Sequence, residues 1–177
     1  MYPFIRLVQG LHAARRQGRL DLFDLHQTTI RIWPWDLDPW RELNNGRTLT
    51  LFDLGRIPMS VRIGFEAAAR ARGWGITVAG TNTRYRKRIT LFQTVTCLSR
   101  VVGWDDRFCY VEQGLWRGDE CCTHMLLRYA FTSGAGLVRP AEVIAAMGHA
   151  PESPALPDWV RAWIAADAMR PWPPARG

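Results

Sequence analysis

The spacing of apolar residues along the chain predicts helices near both ends, a long helix in the first half and strands in between. Between residues 2 and 18, an apolar stripe recurs at helical spacing, and we expect it to pack against the domain; it contains Phe4, Val8, Leu11 and, less strictly, Leu7 and Ala14. Residues 48–72 keep the same spacing, although Pro58 should bend or break that helix. Apolar and polar residues alternate, as in strands, in five segments: 28–35, 76–89, 93–102, 108–116 and 121–131.

The end of the chain predicts two further helices. Residues 139–147 have Pro140 in the first turn, and residues 158–169 carry an apolar stripe that we expect to dock on the body or on a partner subunit. Residues 171–177 should form a mobile tail. The length of 177 residues and the 47% apolar fraction fit one domain, 1–177, with its core at about 20–147.

Composition predicts the cellular compartment of the protein and the state of its cysteines. No apolar run approaches the roughly eighteen residues that a membrane span needs, and the N-terminus lacks the pattern of a signal peptide. We therefore expect a cytoplasmic protein. The cysteines lie in predicted strands without metal-ligand spacing, so we expect buried free thiols and no metal site; they are Cys97, Cys109, Cys121 and Cys122.

Positive charge clusters in one strand. The net charge is +7, and alternation would place Arg84, Arg86 and Arg88 on one face of segment 76–89. This face could be solvated, or it could bind an anionic ligand through forked hydrogen bonds. Nucleic acid binding would need stacked aromatic residues and a broader basic surface, so we do not expect it. The basic helix at residues 2–18 could make peripheral membrane contact, but packing on its own domain is favoured.

The stretch from Asp36 to Arg47 concentrates the polar chemistry. Pro39 should turn the chain and present Asp38, whereas Asp36 is expected to make local hydrogen bonds. A helix that begins after these residues exposes N–H groups and a positive dipole end, which favour developing negative charge. The stretch can be a catalytic carboxylate beside an anion hole, or an ordinary turn followed by a helix cap, and the local pattern alone favours the turn and cap.

The order of these motifs resembles the signature of hotdog-fold acyl-CoA thioesterases. Asp36-Leu37-Asp38 is followed by Asn44-Asn45-Gly46-Arg47 and then by Asp53-Leu54-Gly55-Arg56. This order is similar to that of the 4-hydroxybenzoyl-CoA thioesterase-like superfamily, and in particular its branch that includes the thioesterase-superfamily member six proteins. The resemblance implies an α+β hotdog fold, in which an antiparallel β-sheet wraps around a central α-helix, here with extra N- and C-terminal helices.

The resemblance also implies an activity, the hydrolysis of an acyl-CoA thioester. Asp38 stands at the family's catalytic position and would act as general base or nucleophile, with backbone N–H groups near Asn44 to Gly46 polarising the carbonyl. Glu42 stands where the family often has His and could be a second catalytic carboxylate. The expected substrate-binding residues are Trp40, Asn44, Asn45, Gly46, Phe52, Arg84, Arg86 and Arg88. No cofactor is implied, since coenzyme A is part of the substrate, and the family suggests a homodimer or a dimer of dimers.

The sequence also allows two alternatives to acyl-CoA hydrolysis. Thr48 stands where the family often has Tyr, and together with Glu42 this departure is the reason for a second hypothesis, a non-hydrolytic module that binds acyl-CoA or lipid-like ligands. A hydroxyacyl-thioester dehydratase would pair a His with a carboxylate, and the candidates are His26 and His124. We expect instead that Glu112 pairs with a neighbouring Arg.

Overall fold

One antiparallel sheet organises the chain in the computed structural model, which describes residues 2–176. The helices are α1 (Phe4–Gln17), α2 (Asn45–Arg62), α3 (Phe65–Arg72), α4 (Pro140–Ala146) and α5 (Asp158–Ala168). The strands are β1 (His26–Arg31), β2 (Gly75–Tyr85), β3 (Thr94–Trp104), β4 (Cys109–Arg117), β5 (Glu120–Ser133) and β6 (Gly136–Val138). Met1 and Gly177, the last residue of the predicted tail, lie outside the described range.

The sheet curls around α2. Its strand order is β1-β3-β4-β5-β2, every pair is antiparallel, and β6 extends it on β5. Alternation in β4 turns Val111, Gln113 and Leu115 toward α2, where the Gln113 Nε2 donates to the Phe52 carbonyl at 3.0 Å. The main core therefore lies between α2 and one face of the sheet.

The C-terminal helix α5 covers part of the opposite face, so the expectation that it docks on the body is confirmed. The Tyr110 and Trp163 rings meet edge to face with centroids 6.4 Å apart. Arg128 of β5 forms an ion pair with Asp167 of α5 at 2.6 Å, and both side chains are largely buried. No helix within residues 2–176 combines the length and the apolar character needed to cross a membrane.

Two predicted strands are shorter than their apolar patterns. β1 ends at Arg31, and a short 3-10 helix at Pro34–Asp36 replaces the end of segment 28–35. Proline has no N–H to donate to a sheet ladder, which accounts for this early end. β2 ends at Tyr85, so the predicted alternation of arginines was wrong beyond that point: Arg86 and Arg88 lie in the following loop.

The sequence predicts that Pro58 bends or breaks the helix over residues 48–72; the structure does divide this segment into two helices, but not at Pro58. α2 continues to Arg62, and the break comes at Gly64, whose φ of +92° suits glycine. Because Pro58 lacks an N–H, the Leu54 carbonyl has no partner one turn ahead. Helix α1 packs at this place: a Cβ on Gly10 would lie 3.3 Å from the Pro58 Cγ and 3.8 Å from the Leu54 oxygen.

Helix α1 buries only one side of the predicted apolar stripe. Leu7, Gly10 and Ala14 face the body, whereas Phe4 and Val8 are 67% and 64% exposed. The prediction that this stripe packs on the domain therefore holds for Leu7 and Ala14 and was wrong for Phe4 and Val8. Small residues at positions 10 and 14 let the backbones of α1 and α2 approach closely, which decides the orientation.

The first residue of β1, His26, is a buried histidine with two partners. It is 1% exposed; its Nδ1 lies 3.1 Å from the Arg62 Nη1, and its Nε2 lies 3.0 Å from the Thr28 hydroxyl. Because the guanidinium can only donate, Nδ1 is the acceptor and the ring is neutral. Burial, with the positive charge of Arg62, lowers the pKa of His26 to about 4.

All four cysteines are free thiols, as expected. Three are buried, and Cys121 is partly exposed. Burial raises the pKa of Cys97 and of Cys109 to about 12, so both are protonated at neutral pH.

Gly55 of α2 lies against β3 and should not tolerate a methyl group. A Cβ there would lie 2.6 Å from the Cys97 Sγ and 2.7 Å from the Ser99 Oγ. In an open helix, Gly→Ala stabilises by about 1 kcal/mol, but here we expect Gly55→Ala to lower the free energy of unfolding by about 1–3 kcal/mol. Urea denaturation tests this prediction, and a stabilised variant would contradict it.

Candidate active site

Asp36 is a fully buried carboxylate that holds the turn before α2. Its Oδ2 accepts hydrogen bonds from the Arg6 Nη1 at 2.9 Å and from the Trp33 N–H at 3.0 Å. Its Oδ1 accepts from the Arg47 Nε at 2.6 Å. The Asp36 carboxylate therefore links Arg6 of α1 to Arg47 of α2. This arrangement confirms the local hydrogen-bonding role expected for Asp36.

Asp38 lies in a tight turn that is closed on Glu42. The Asp38 Oδ1 accepts from the Trp40 N–H at 2.9 Å and from the Glu42 N–H at 3.3 Å. The Asp38 N–H donates to the Glu42 carbonyl at 2.9 Å, and Arg41 between them has a φ of +62°. Within residues 2–176, the Asp38 Oδ2 has no hydrogen-bond partner. This oxygen can therefore accept from a water molecule or attack a carbonyl carbon.

The start of α2 offers two open N–H groups. The Asn44 side chain caps the helix by accepting from the Arg47 N–H at 3.0 Å, and the Asn44 N–H donates to the Asp36 carbonyl at 3.0 Å. The backbone N–H of Asn44 is therefore already bonded and cannot donate to a ligand. The N–H groups of Asn45 and Gly46 have no acceptor in the part of the chain that the structure describes. They are the open donors among the three predicted residues.

A small basic cavity lies where the end of β2 meets the start of α2. Its volume is about 240 Å³, and its lining includes Glu42, Asn45, Tyr85, Arg86, Lys87 and Arg88. Glu42 forms an ion pair with Arg88 at 3.0 Å, and the Tyr85 hydroxyl donates to the Asn45 carbonyl at 3.3 Å. The structure thus brings Glu42, Asn45, Arg86 and Arg88 together. Arg84 lies within β2, opposite His124 of β5, and outside this lining.

The two residues expected beside the acyl group lie in contrasting places. Trp40 is 77% exposed on the Asp38 turn, whereas Phe52 is fully buried in the main core. An apolar cleft that the sequence did not reveal lies beside the start of α2, with a volume of about 810 Å³. Its lining includes Phe4, Ile5, Trp33, Trp35, Leu37 and Asn44.

A second carboxylate, Asp53, lies inside α2 and was not assigned a role from the sequence. Asp53 forms an ion pair with Arg56, and the Tyr2 hydroxyl donates to it. Burial raises the pKa of Asp53, with the positive charge of Arg56 and the hydrogen bond from Tyr2 opposing the rise. The Asp53-Leu54-Gly55-Arg56 motif pointed to Asp53 in the sequence, but it did not predict the contact with Tyr2.

Glu112 and His124 form a pair away from this region. The His124 Nε2 lies 2.9 Å from the Glu112 Oε1, and Arg100 pairs with Glu112 at 2.6 Å, which confirms the expected arginine partner. The hydrogen bond from His124 and then the charge of Arg100 lower the pKa of Glu112. The pair lies on the sheet face opposite α2, where Trp159 of α5 contacts His124. It therefore does not supply the His–carboxylate pair that a dehydratase pocket would need.

No group of three or more His, Cys, Asp or Glu side chains within residues 2–176 is arranged to hold a metal ion.

An antiparallel sheet curled around one long helix is the architecture of a hotdog-fold protein. The family model of the thioesterase-like superfamily matches residues 32–164, and the chain belongs to this superfamily. Protein THEM6 of Xenopus laevis is 31% identical over 167 residues, which cover 93% of this chain and 79% of the relative. The family resemblance drawn from Asp36 through Arg56 is therefore confirmed.

Solved structures confirm the fold. A 4-hydroxybenzoyl-CoA thioesterase mutant complexed with 4-hydroxybenzoyl-CoA superposes with a TM-score of 0.62 at 13% identity, covering 70% of this chain and 98% of that one. A thioesterase from Thermus thermophilus complexed with coenzyme A and Zn gives 0.60 at 21% identity, covering 71% and 98%. The expected hotdog architecture is thus correct.

Proposed function

We propose that this protein hydrolyses an acyl-CoA thioester to a free acid and coenzyme A. The observation that carries this proposal is the Asp38 carboxylate. One of its oxygens is fixed by the Trp40 and Glu42 N–H groups, and the other has no partner within residues 2–176. The turn that holds it leads directly into the open N–H groups of Asn45 and Gly46.

In the proposed reaction, Asp38 acts as a general base on water, whose oxygen attacks the thioester carbon, or attacks that carbon itself. In both routes the C–S bond breaks and coenzyme A leaves as the thiolate; in the second route water then cleaves the mixed anhydride and frees Asp38. Either route places negative charge on the thioester oxygen. The N–H groups of Asn45 and Gly46 would donate to that oxygen, and each such donor is worth about 3 kcal/mol in a transition state. The positive end of the α2 dipole adds to this stabilisation.

The basic cavity is the proposed contact for the coenzyme phosphates. Arg86 and Arg88 can bind phosphate oxygens through forked hydrogen bonds. Because Arg88 is paired with Glu42, a phosphate would compete with that carboxylate for the guanidinium.

A homodimer is part of the proposal. β2 is an edge strand whose residues are mostly exposed, so its free edge can pair with a second copy. In such a dimer, Arg84 of one subunit could serve coenzyme A bound beside the other.

Release of coenzyme A across a panel of acyl-CoA chain lengths tests the proposal. We expect Asp38→Asn to lower kcat by at least about a hundredfold, because the amide cannot accept a proton or attack carbon. Glu42→Gln should cost less, and Asp106→Asn, at an exposed carboxylate, should have no effect. Full activity in Asp38→Asn would refute the assignment, and a larger loss in Glu42→Gln would identify Glu42 as the acid.

A non-hydrolytic acyl-CoA-binding module is the second candidate. Two residues that depart from the family pattern are engaged elsewhere: Glu42 pairs with Arg88, and the Thr48 hydroxyl donates to the Asn44 carbonyl at 3.1 Å. Tight acyl-CoA binding without turnover by the wild type would favour this alternative.

A further inference from the structure

Helix α1 presents an apolar face that the rest of the chain does not cover. The face toward the body contains Leu7, Gly10 and Ala14. On the outer side, Phe4, Ile5 and Val8 are exposed by 67%, 77% and 64%. Successive helical residues are 100° apart, so these three side chains form one patch about 100° wide. Three exposed apolar residues together on one helix face indicate a contact surface.

Aromatic side chains continue this surface beyond α1. Trp33 and Trp35 stack with centroids 5.6 Å apart, and Phe92 meets Trp33 edge to face at 6.0 Å. The cleft beside α2 joins them to Phe4 and Ile5. Trp35 is 66% exposed and Phe92 is 50% exposed. We call this set the apolar-aromatic surface: Phe4, Ile5, Val8, Trp33, Trp35 and Phe92.

The charge around the apolar-aromatic surface is positive. Eleven residues are close to three helical turns, so Arg15 and Arg16 lie on the same side of α1 as Phe4 and Ile5. The Arg31 guanidinium lies 5.5 Å from the ring centroids of both Trp33 and Phe92. Neither α1 nor β1 contains an acidic residue. The acidic neighbour Glu66 already pairs with Arg70 and, at 3.5 Å, with Arg15.

We propose that the apolar-aromatic surface binds an anionic lipid bilayer. Tryptophan and phenylalanine favour the boundary between lipid headgroups and acyl chains, and arginine favours the lipid phosphates. The surface combines both features on a helix that the body holds in place. α1 would lie in the plane of the interface with its buried face still on α2.

Charge disfavours a second copy of this chain as the occupant. In a two-fold contact the same patch faces itself, so Arg16 and Arg31 of one copy would approach those of the other. With no acidic residue on α1 or β1, this contact would lack compensating charge. An anionic membrane supplies that charge. The proposal does not rest on thioester hydrolysis, since membrane binding is measured directly.

Co-sedimentation with phosphatidylcholine vesicles, with and without about 30% phosphatidylglycerol, tests the proposal. We expect the full chain to bind the anionic vesicles more tightly, and to release as salt is raised. The triple variant Phe4→Ser, Ile5→Ser, Val8→Ser should partition at least about tenfold less. Arg16→Glu should weaken binding to the anionic vesicles only.

The matched control is Leu137→Ser with Met169→Ser, since both residues are exposed and apolar but lie elsewhere. This variant should bind as the wild type does. Equal binding of wild type to neutral and anionic vesicles, or unchanged binding of the triple variant, would overturn the proposal. A fall from dimer to monomer mass in the triple variant, measured by light scattering, would assign the surface to a second copy instead.

Discussion

Replacing Asp36 with Asn should lower the free energy of unfolding by about 3–5 kcal/mol. The Asp36 carboxylate is fully buried and holds two arginines, Arg6 at 2.9 Å and Arg47 at 2.6 Å. Removing one partner of a buried ion pair is costly, because the arginine charges lose the carboxylate that balances them. Asn also lacks the second acceptor oxygen, so one of the two arginines must lose its partner atom.

The control for this prediction is the same substitution at an exposed ion pair. Asp106 pairs with Arg139 at 2.7 Å, but the two side chains are 87% and 71% exposed. Asp106→Asn should cost less than about 1 kcal/mol, because water screens the pair. Urea unfolding of both variants gives the comparison. Equal losses would show that Asp36 does not organise the turn before α2.

Stability should fall as the pH is lowered from about 6.5 to about 4, and His26 should account for much of this fall. The pKa of His26 is 6.5 in the unfolded chain and about 4 in the folded protein. The unfolded state therefore binds more protons in this range, which destabilises the folded state. The full pKa difference corresponds to a loss of stability on the order of 3 kcal/mol, which is reached below pH 4.

Urea unfolding at about pH 7 and about pH 4.5 measures this effect. His26→Gln should reduce the difference in free energy of unfolding between the two pH values, whatever its effect at neutral pH. His12→Gln, at an exposed position of α1, should leave the difference unchanged. A His26→Gln variant with the same pH dependence as the wild type would show that the buried ring is not the cause.

Much of the architecture could be predicted because it depends on local patterns. Alternation located β3, β4 and β5 within a few residues, and the Asn44-Asn45-Gly46 run marked the start of α2. The motif order then identified the fold. The locations of Asp38 and of the open N–H groups after it follow from the same local rules, since Pro39 turns the chain and Asn44 caps the helix.

The errors arose where packing between distant segments decides the outcome. Pro58 was expected to bend or break the helix, but α1 packs there, α2 continues through it, and the division into two helices comes at Gly64. Apolar residues occupy two faces of α1, and periodicity alone does not distinguish the buried one. Here the small residues Gly10 and Ala14 decide, because they allow close approach.

Parts of the candidate site were missed for the same reason. The hydrogen bond from Tyr2 to Asp53 and the cleft beside Trp33 and Trp35 join segments that are far apart in the sequence. The end of β2 at Tyr85 moved Arg86 and Arg88 into a loop, and only the structure shows that this loop faces Glu42.

Through Arg6, helix α1 is hydrogen-bonded to the turn that leads to Asp38. The Arg6 guanidinium donates to the Asp36 Oδ2 at 2.9 Å and to the Arg31 carbonyl at 2.7 Å. One side chain therefore connects α1 to the end of β1 and to the turn before α2. A truncation through residue 6 would remove this contact together with the first residues of α1. A protein anchored through α1 would hold Asp38 in a fixed orientation relative to its anchor.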